Sequence, residues 1–146
     1  MKKLTLEHLA PYFPYGLKGI VTDSSNNGSI ETIIGLQGTE IITDFDCIEM
    51  DIFKPILRPL SDLTKEIEHN GEKFVPIEWF EEKYYTLDLH KQCLRLLEED
   101  GENWINQSDY MLVTQLLEWH FDLFGLLEAG LAIDINTLNT ENDENN

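Results

Sequence analysis

Between Gln115 and Leu138 runs QLLEWHFDLFGLLEAGLAIDINTL, the longest stretch rich in large apolar residues, with neither Lys nor Arg in it. Side chains of this kind are seldom left in water over such a length. The pattern predicts the end of a buried helix, a break at Gly125 and a second short apolar segment, with the rest of the chain packed around them. Ser108 is placed to cap that helix, which would run from Asp109 to about Phe121. Leu112, Val113, Leu116, Leu117, Trp119 and His120 would cover most of its circumference. Thr114, Gln115, Glu118 and Asp122 would form one polar stripe, so the helix is expected to be buried on more than one side.

The N-terminal part follows a different period. Thr5 to Ala10 reads as a short helix capped by Thr5; His8 at its third position leaves no capping box, and Pro11 and Pro14 stop it. Tyr12, Phe13 and Tyr15 are expected to fold into a core, with a peptide-docking surface as the second reading. Leu17–Thr22, Ser29–Leu36 and Thr39–Asp44 read as strands. The first two are joined by a long turn over residues 23–28 and the next two by a tight Gln37-Gly38 turn. Cys47–Phe53 alternates acid and apolar residues, which suits a fourth, half-buried strand. Together these predict an antiparallel meander.

Further on, Lys54-Pro-Ile-Leu-Arg-Pro-Leu60 is expected to be extended, because each proline turns its predecessor away from helix. A short helix capped by Ser61 or Asp62 would reach about Ile67. Asn70-Gly71 signals a turn, Lys73–Val75 a short strand, and Pro76 the first turn of another brief helix. Asp88–Glu99 carries Leu89, Cys93, Leu96 and Leu97 on one helical face. The predicted fold is α+β: three or four meandering strands with helices packed on one face. Residues 1–136 are expected to form one domain and 137–146 a flexible acidic tail.

Charge bears most directly on function. The chain holds 28 acids against 10 bases, a formal net charge of −18. The imbalance is lopsided: residues 1–95 hold 16 acids and all 10 bases, residues 96–146 hold 12 acids and no base. Such a surface repels phosphate backbones and anionic lipid headgroups, so neither direct nucleic-acid binding nor membrane binding is expected. It attracts cationic partners, including proteins that themselves bind DNA. Solubility alone is the plainer explanation. Cys47 and Cys93 make no disulfide framework and fit free thiols in a cytoplasm. The N-terminus has two lysines but no apolar core of a signal peptide.

Motifs for catalysis are missing. There is no Walker loop, dinucleotide fingerprint, nucleophile elbow, His-Glu-x-x-His or EF-hand loop. Glu118-x-His120-x-Asp122 resembles metal ligands on paper, but on a continuous helix His120 points about 200° away from Glu118. The three could converge only if the helix ended early, near Trp119. His90-x-x-Cys93 shares a helical face and would need two further zinc ligands, with Cys47 and His69 the candidates; Cys93 as a small core residue is the simpler reading. Lys54 and Arg58, on a proline-flanked extended segment, are first read as neutralising acids of the C-terminal half.

Three stretches carry a resemblance: Phe53-Lys-Pro-Ile-Leu-Arg-Pro-Leu-Ser-Asp-Leu-Thr-Lys-Glu-Ile67 continuing to Ile77, Leu116-Leu-Glu-Trp-His-Phe-Asp-Leu-Phe-Gly125 through to Asn136, and Thr32-Ile-Ile-Gly-Leu36. With these the chain resembles short proteins encoded by phages and integrated elements of gut Bacteroidetes. That group has no assigned activity, so no catalytic residue is carried over. The resemblance implies a bacterial cytoplasm and a link to mobile DNA.

The expectation is therefore a small, non-enzymatic phage or mobile-element protein that needs no cofactor. Its acidic C-terminal half would bind a host or element-encoded protein, one version being DNA mimicry toward a nucleic-acid-binding protein. Partner-binding candidates are Glu118, Asp122 and Glu128, with Lys54 and Arg58. The alternative is a divalent-metal-dependent enzyme using Glu118, Asp122 and Asp134.

Overall fold

Thr5 opens the first helix, α1 (Leu6–Leu9), in an extended conformation. Its N–H donates to His8 Nδ1 at 3.1 Å, so the histidine does fill the reciprocal half of a capping box normally held by Glu or Gln. The prolines do not stop the chain's coiling. They convert it to a 3-10 helix over Ala10–Tyr15, in which Pro11 occupies the first turn where no N–H is needed. Of the three aromatics there, Tyr12 is fully buried, Tyr15 half-buried and Phe13 exposed. The structure, a computed structural model, describes residues 3–22, 28–84 and 110–138. The chain divides into two packed units: Met1–Arg58 with Phe124–Asn146, and Pro59–Leu123 between them.

The first unit contains the expected meander: β1 (Lys18–Val21), β2 (Ser29–Gln37), β3 (Glu40–Thr43) and β4 (Cys47–Glu49). The fourth strand is shorter than its alternation suggests, because Met50–Ile52 turn as a 3-10 helix. The extended proline segment becomes β5 (Phe53–Leu57), antiparallel to β1, and β8 (Ile133–Asp134) adds a parallel edge beside it. Sheet order is β4-β3-β2-β1-β5-β8.

This order forces the sheet to curl. β4 and β5 are four strand spacings apart, about 19 Å in a flat sheet. Yet Glu49 and Phe53 are separated by four Cα steps, a reach of at most about 14 Å. The bend is made in β2. Its first half pairs with β1 and its second with β3, and the register slips between Ile33 and Gly35. The concave side encloses Val21, Ile33, Ile41, Ile48 and Phe53. Gly19 is required for close approach: the Phe53 ring sits where a Cβ on Gly19 would stand.

The second unit begins with a 3-10 turn over Leu60–Thr64 in place of the expected helix to Ile67. Ile67 instead starts β6 (Ile67–His69), which pairs with β7 (Glu72–Phe74). Asn70 and Gly71 between them have φ of 52° and 85°, the paired positive values of a type I′ turn. Two helices follow, α2 (Pro76–Tyr84) and α3 (Tyr110–Glu118). Trp119 is the hub of an aromatic cluster, with Phe74 and Trp79 both at 4.9 Å and Phe80 at 5.5 Å between ring centroids.

The long apolar stretch therefore does not serve a single core. Its first part closes α3 in the second unit and its remainder belongs to the first. The helix expected over 88–99 lies outside the described residues, as does most of the acidic tail.

Candidate functional site

α3 ends three residues sooner than its apolar pattern suggests. The N–H of His120 donates to Leu117 O and that of Phe121 to Leu116 O, the paired bonds of a Schellman cap, with His120 in the left-handed region at φ 62°. Histidine tolerates that region better than most residues. Its ring lies edge-on to His69 at 5.6 Å.

The early stop redistributes the residues singled out from sequence. Glu118 is the last helical residue, exposed, and accepts a hydrogen bond from Gln115 at 2.9 Å. Asp122 lies beyond the cap and is only 7% exposed, so the two are not at i,i+4 on one helix face. Arg58 is likewise buried, at 5% exposure. Glu128 is exposed. Asp134 is half-buried in β8, its carboxylate accepting the Asn136 N–H at 2.9 Å. Among the described residues no three His, Cys, Asp or Glu side chains are grouped to hold a metal ion. His90 and Cys93 lie outside the described residues.

Two charged features of the first unit were missed from sequence. One is the β3–β4 hairpin. Thr43 Oγ1 accepts the N–H groups of Phe45 and Asp46 at 3.1 and 3.0 Å and donates to buried Glu31 at 2.5 Å. Asp44 accepts the Thr32 N–H at 3.0 Å and Asp46 that of Cys47 at 2.8 Å. These bonds pin the loop and hold Phe45, 74% exposed, between two exposed carboxylates. Further along the hairpin Glu40 stands directly opposite Glu49, an unfavourable like-charge pair. The Cys47 thiol donates to Glu40 at 2.8 Å, and that bond, helped by the neighbouring acids, pushes the thiol pKa above its ordinary value.

The other is a half-open cleft of about 820 Å³. It is lined by the N-terminal segment, bringing Lys3 and Glu7, and by the segment where β4 passes into β5, bringing Glu49, Asp51 and Lys54. Met50, Phe53 and Leu131 supply apolar lining. Among the described residues the side chains of Lys3, Glu7, Asp51 and Lys54 make no hydrogen bond or ion pair. Glu49 accepts a long bond from Thr39 Oγ1, at 3.4 Å. Lys54, two residues past the 3-10 turn, is paired with Ile20 in the β1–β5 ladder, which fixes its backbone at the cleft margin.

No family model, curated protein or solved structure matches the chain. No helix among the described residues is long and apolar enough to cross a membrane.

Proposed function

We propose that this is a non-enzymatic binding protein of a phage or mobile element, acting in a bacterial cytoplasm on a cationic protein partner. The observation that carries the reading is the C-terminal third of the chain, which holds 12 acids and neither Lys nor Arg in residues 96–146. Of its described acids, Glu118 and Glu128 are exposed and available, whereas Asp122 is withdrawn by burial. The pinned Asp44-Phe45-Asp46 tip supports the same chemistry, since an ordered aromatic beside carboxylates suits a basic, apolar-centred interface. A nucleic-acid-binding protein whose phosphate groove accepts carboxylates is the partner class that fits a chain of this sign.

A pull-down from nuclease-treated host lysate tests it. The expected capture is a nucleic-acid-binding protein, released by high salt and displaced by duplex DNA, and weakened by Glu118→Lys or Glu128→Lys. Capture of nothing, or capture indifferent to salt and DNA, would overturn the reading.

A further inference from the structure

β2 departs from the rule that the solvent side of an antiparallel strand is polar. Its outward positions are Ile30, Thr32 and Ile34. The two isoleucines are 51% and 58% exposed, although β2 lies inside the sheet between β1 and β3. The register extends this apolar surface to both neighbours. Half-buried Ile20 stands directly opposite Ile30. Half-buried Ile42 is opposite Gly35, at the bulge beside Ile34, and its side chain comes within 3.2 Å of the place a Cβ on Gly35 would take. Phe45, 74% exposed, follows Asp44, which is tied to Thr32 by two hydrogen bonds. Of the four exposed large apolar side chains among the described residues, three thus lie on β2 or in the loop beside it. Charge marks the same face. In β1, β2 and β5 the only acid is Glu31, which is buried, while Lys18 and Lys54 are the bases. On a chain of net charge −18 this is a surface where the chain's self-repulsion is locally relieved. Its centre is flanked by opposite charges: Lys18 is paired with Thr32 on one side, and Asp44 meets Thr32 on the other.

We propose that this face binds a second copy of the same chain, β2 against β2. A two-fold axis lying in the interface along β2 sets Ile30 against Ile30 and Ile34 against Ile34. It brings Lys18 of each chain to Asp44 of the other, and Phe45 of each to the second copy's Ile20. An axis across the strands would instead oppose Lys18 to Lys18 and Asp44 to Asp44, so the charges select the first arrangement. The face is convex because the sheet curls, which confines contact to the β2 ridge and the Phe45 loops on either side of it. The dimer therefore belongs at the small end of specific interfaces, below ~1,200 Å² in total, and is reversible. Self-association through β2 is independent of the cationic partner proposed above.

Sedimentation velocity of the full chain tests it, from low micromolar to near-millimolar concentration in about 0.15 M NaCl, which screens the net charge beyond ~8 Å. A monomer–dimer equilibrium is expected. Ile30→Thr with Ile34→Thr keeps β-branched side chains at exposed positions, so the fold should stand, and a thermal melt checks this. That double variant should weaken the dimer at least tenfold. Lys18→Glu, which sets like charges across the axis, should do the same. Lys73→Glu makes an equal change of net charge at an exposed position of the second unit and should leave the equilibrium nearly unchanged. A chain monomeric at every concentration, or a dimer indifferent to either the isoleucine pair or Lys18→Glu, overturns the proposal. So does a monomeric chain whose captured partner is lost with the isoleucine double variant, which would give the face to a different protein. Monomeric behaviour alone leaves the pull-down expectation standing, so the two readings fail separately.

Discussion

Cys47 shows how strongly a neighbour can set the chemistry of an exposed group. Its thiol donates to Glu40, and Glu40, Asp46 and Glu49 all oppose a second negative charge, so the pKa is raised. Only the thiolate reacts with alkylating agents, and a raised pKa means less thiolate at any given pH. Glu40→Gln removes the charge and lowers the pKa. The rate-versus-pH curve for iodoacetamide at Cys47 should then shift to lower pH, with several-fold faster alkylation near pH 8. Peptide mapping separates Cys47 from Cys93; an unshifted curve would mean the Glu40 bond does not form. None of this was legible from sequence. Cys47 and Glu40 are seven residues apart, and only the β3–β4 register makes them neighbours. Glu31 is similar in part: Ser29, two residues away, donates to one carboxylate oxygen, but the Thr43 hydroxyl reaches the other only across a strand pair.

Individual elements were readable where their cause is local. The strands β1 to β3, the Asn70-Gly71 turn and the helix starting at Pro76 all lie where composition placed them, since turn chemistry and proline act within a few residues. The helix end at His120 was not readable, because histidine is a poor marker of a left-handed cap and the apolar pattern runs straight through it. β8 was not readable either: its two residues gain strand geometry only by pairing with Ile56 and Leu57. Gly130 closes the turn that precedes it. With φ 77° it closes a second pair of Schellman bonds, from its own N–H to Leu127 O and from Leu131 N–H to Leu126 O. Gly130→Ala meets open space, so its cost is conformational alone, about 1 kcal/mol in a urea melt, and Gly130→Asn should recover part of it. Gly19→Ala should cost about 1–3 kcal/mol for the opposite reason, since its backbone is ordinary and the Phe53 ring has to move. Equal losses from the two substitutions, with no rescue by Asn, would contradict this division.

At the scale of the whole molecule, a net charge of −18 works against any compact state by self-repulsion. Raising salt from about 0.01 M to about 0.15 M shortens the screening length from ~30 Å to ~8 Å. The melting temperature should therefore rise with NaCl, and a flat or falling trend would show that local ion pairs outweigh the long-range field. The charge count could be read in advance; the division of the chain could not, because Pro59–Leu123 is inserted between two segments of one unit. That insertion also orders events at the ribosome. Residues 1–58 can form β1 to β5 as they emerge, but the strand that covers the outer side of β5 is encoded about 75 residues after Leu57. At typical elongation rates the wait is on the order of 4–15 s. For that interval Ile56 and Leu57 present an open strand edge on a nascent chain, which makes the unfinished protein, more than the finished one, a substrate for chaperones.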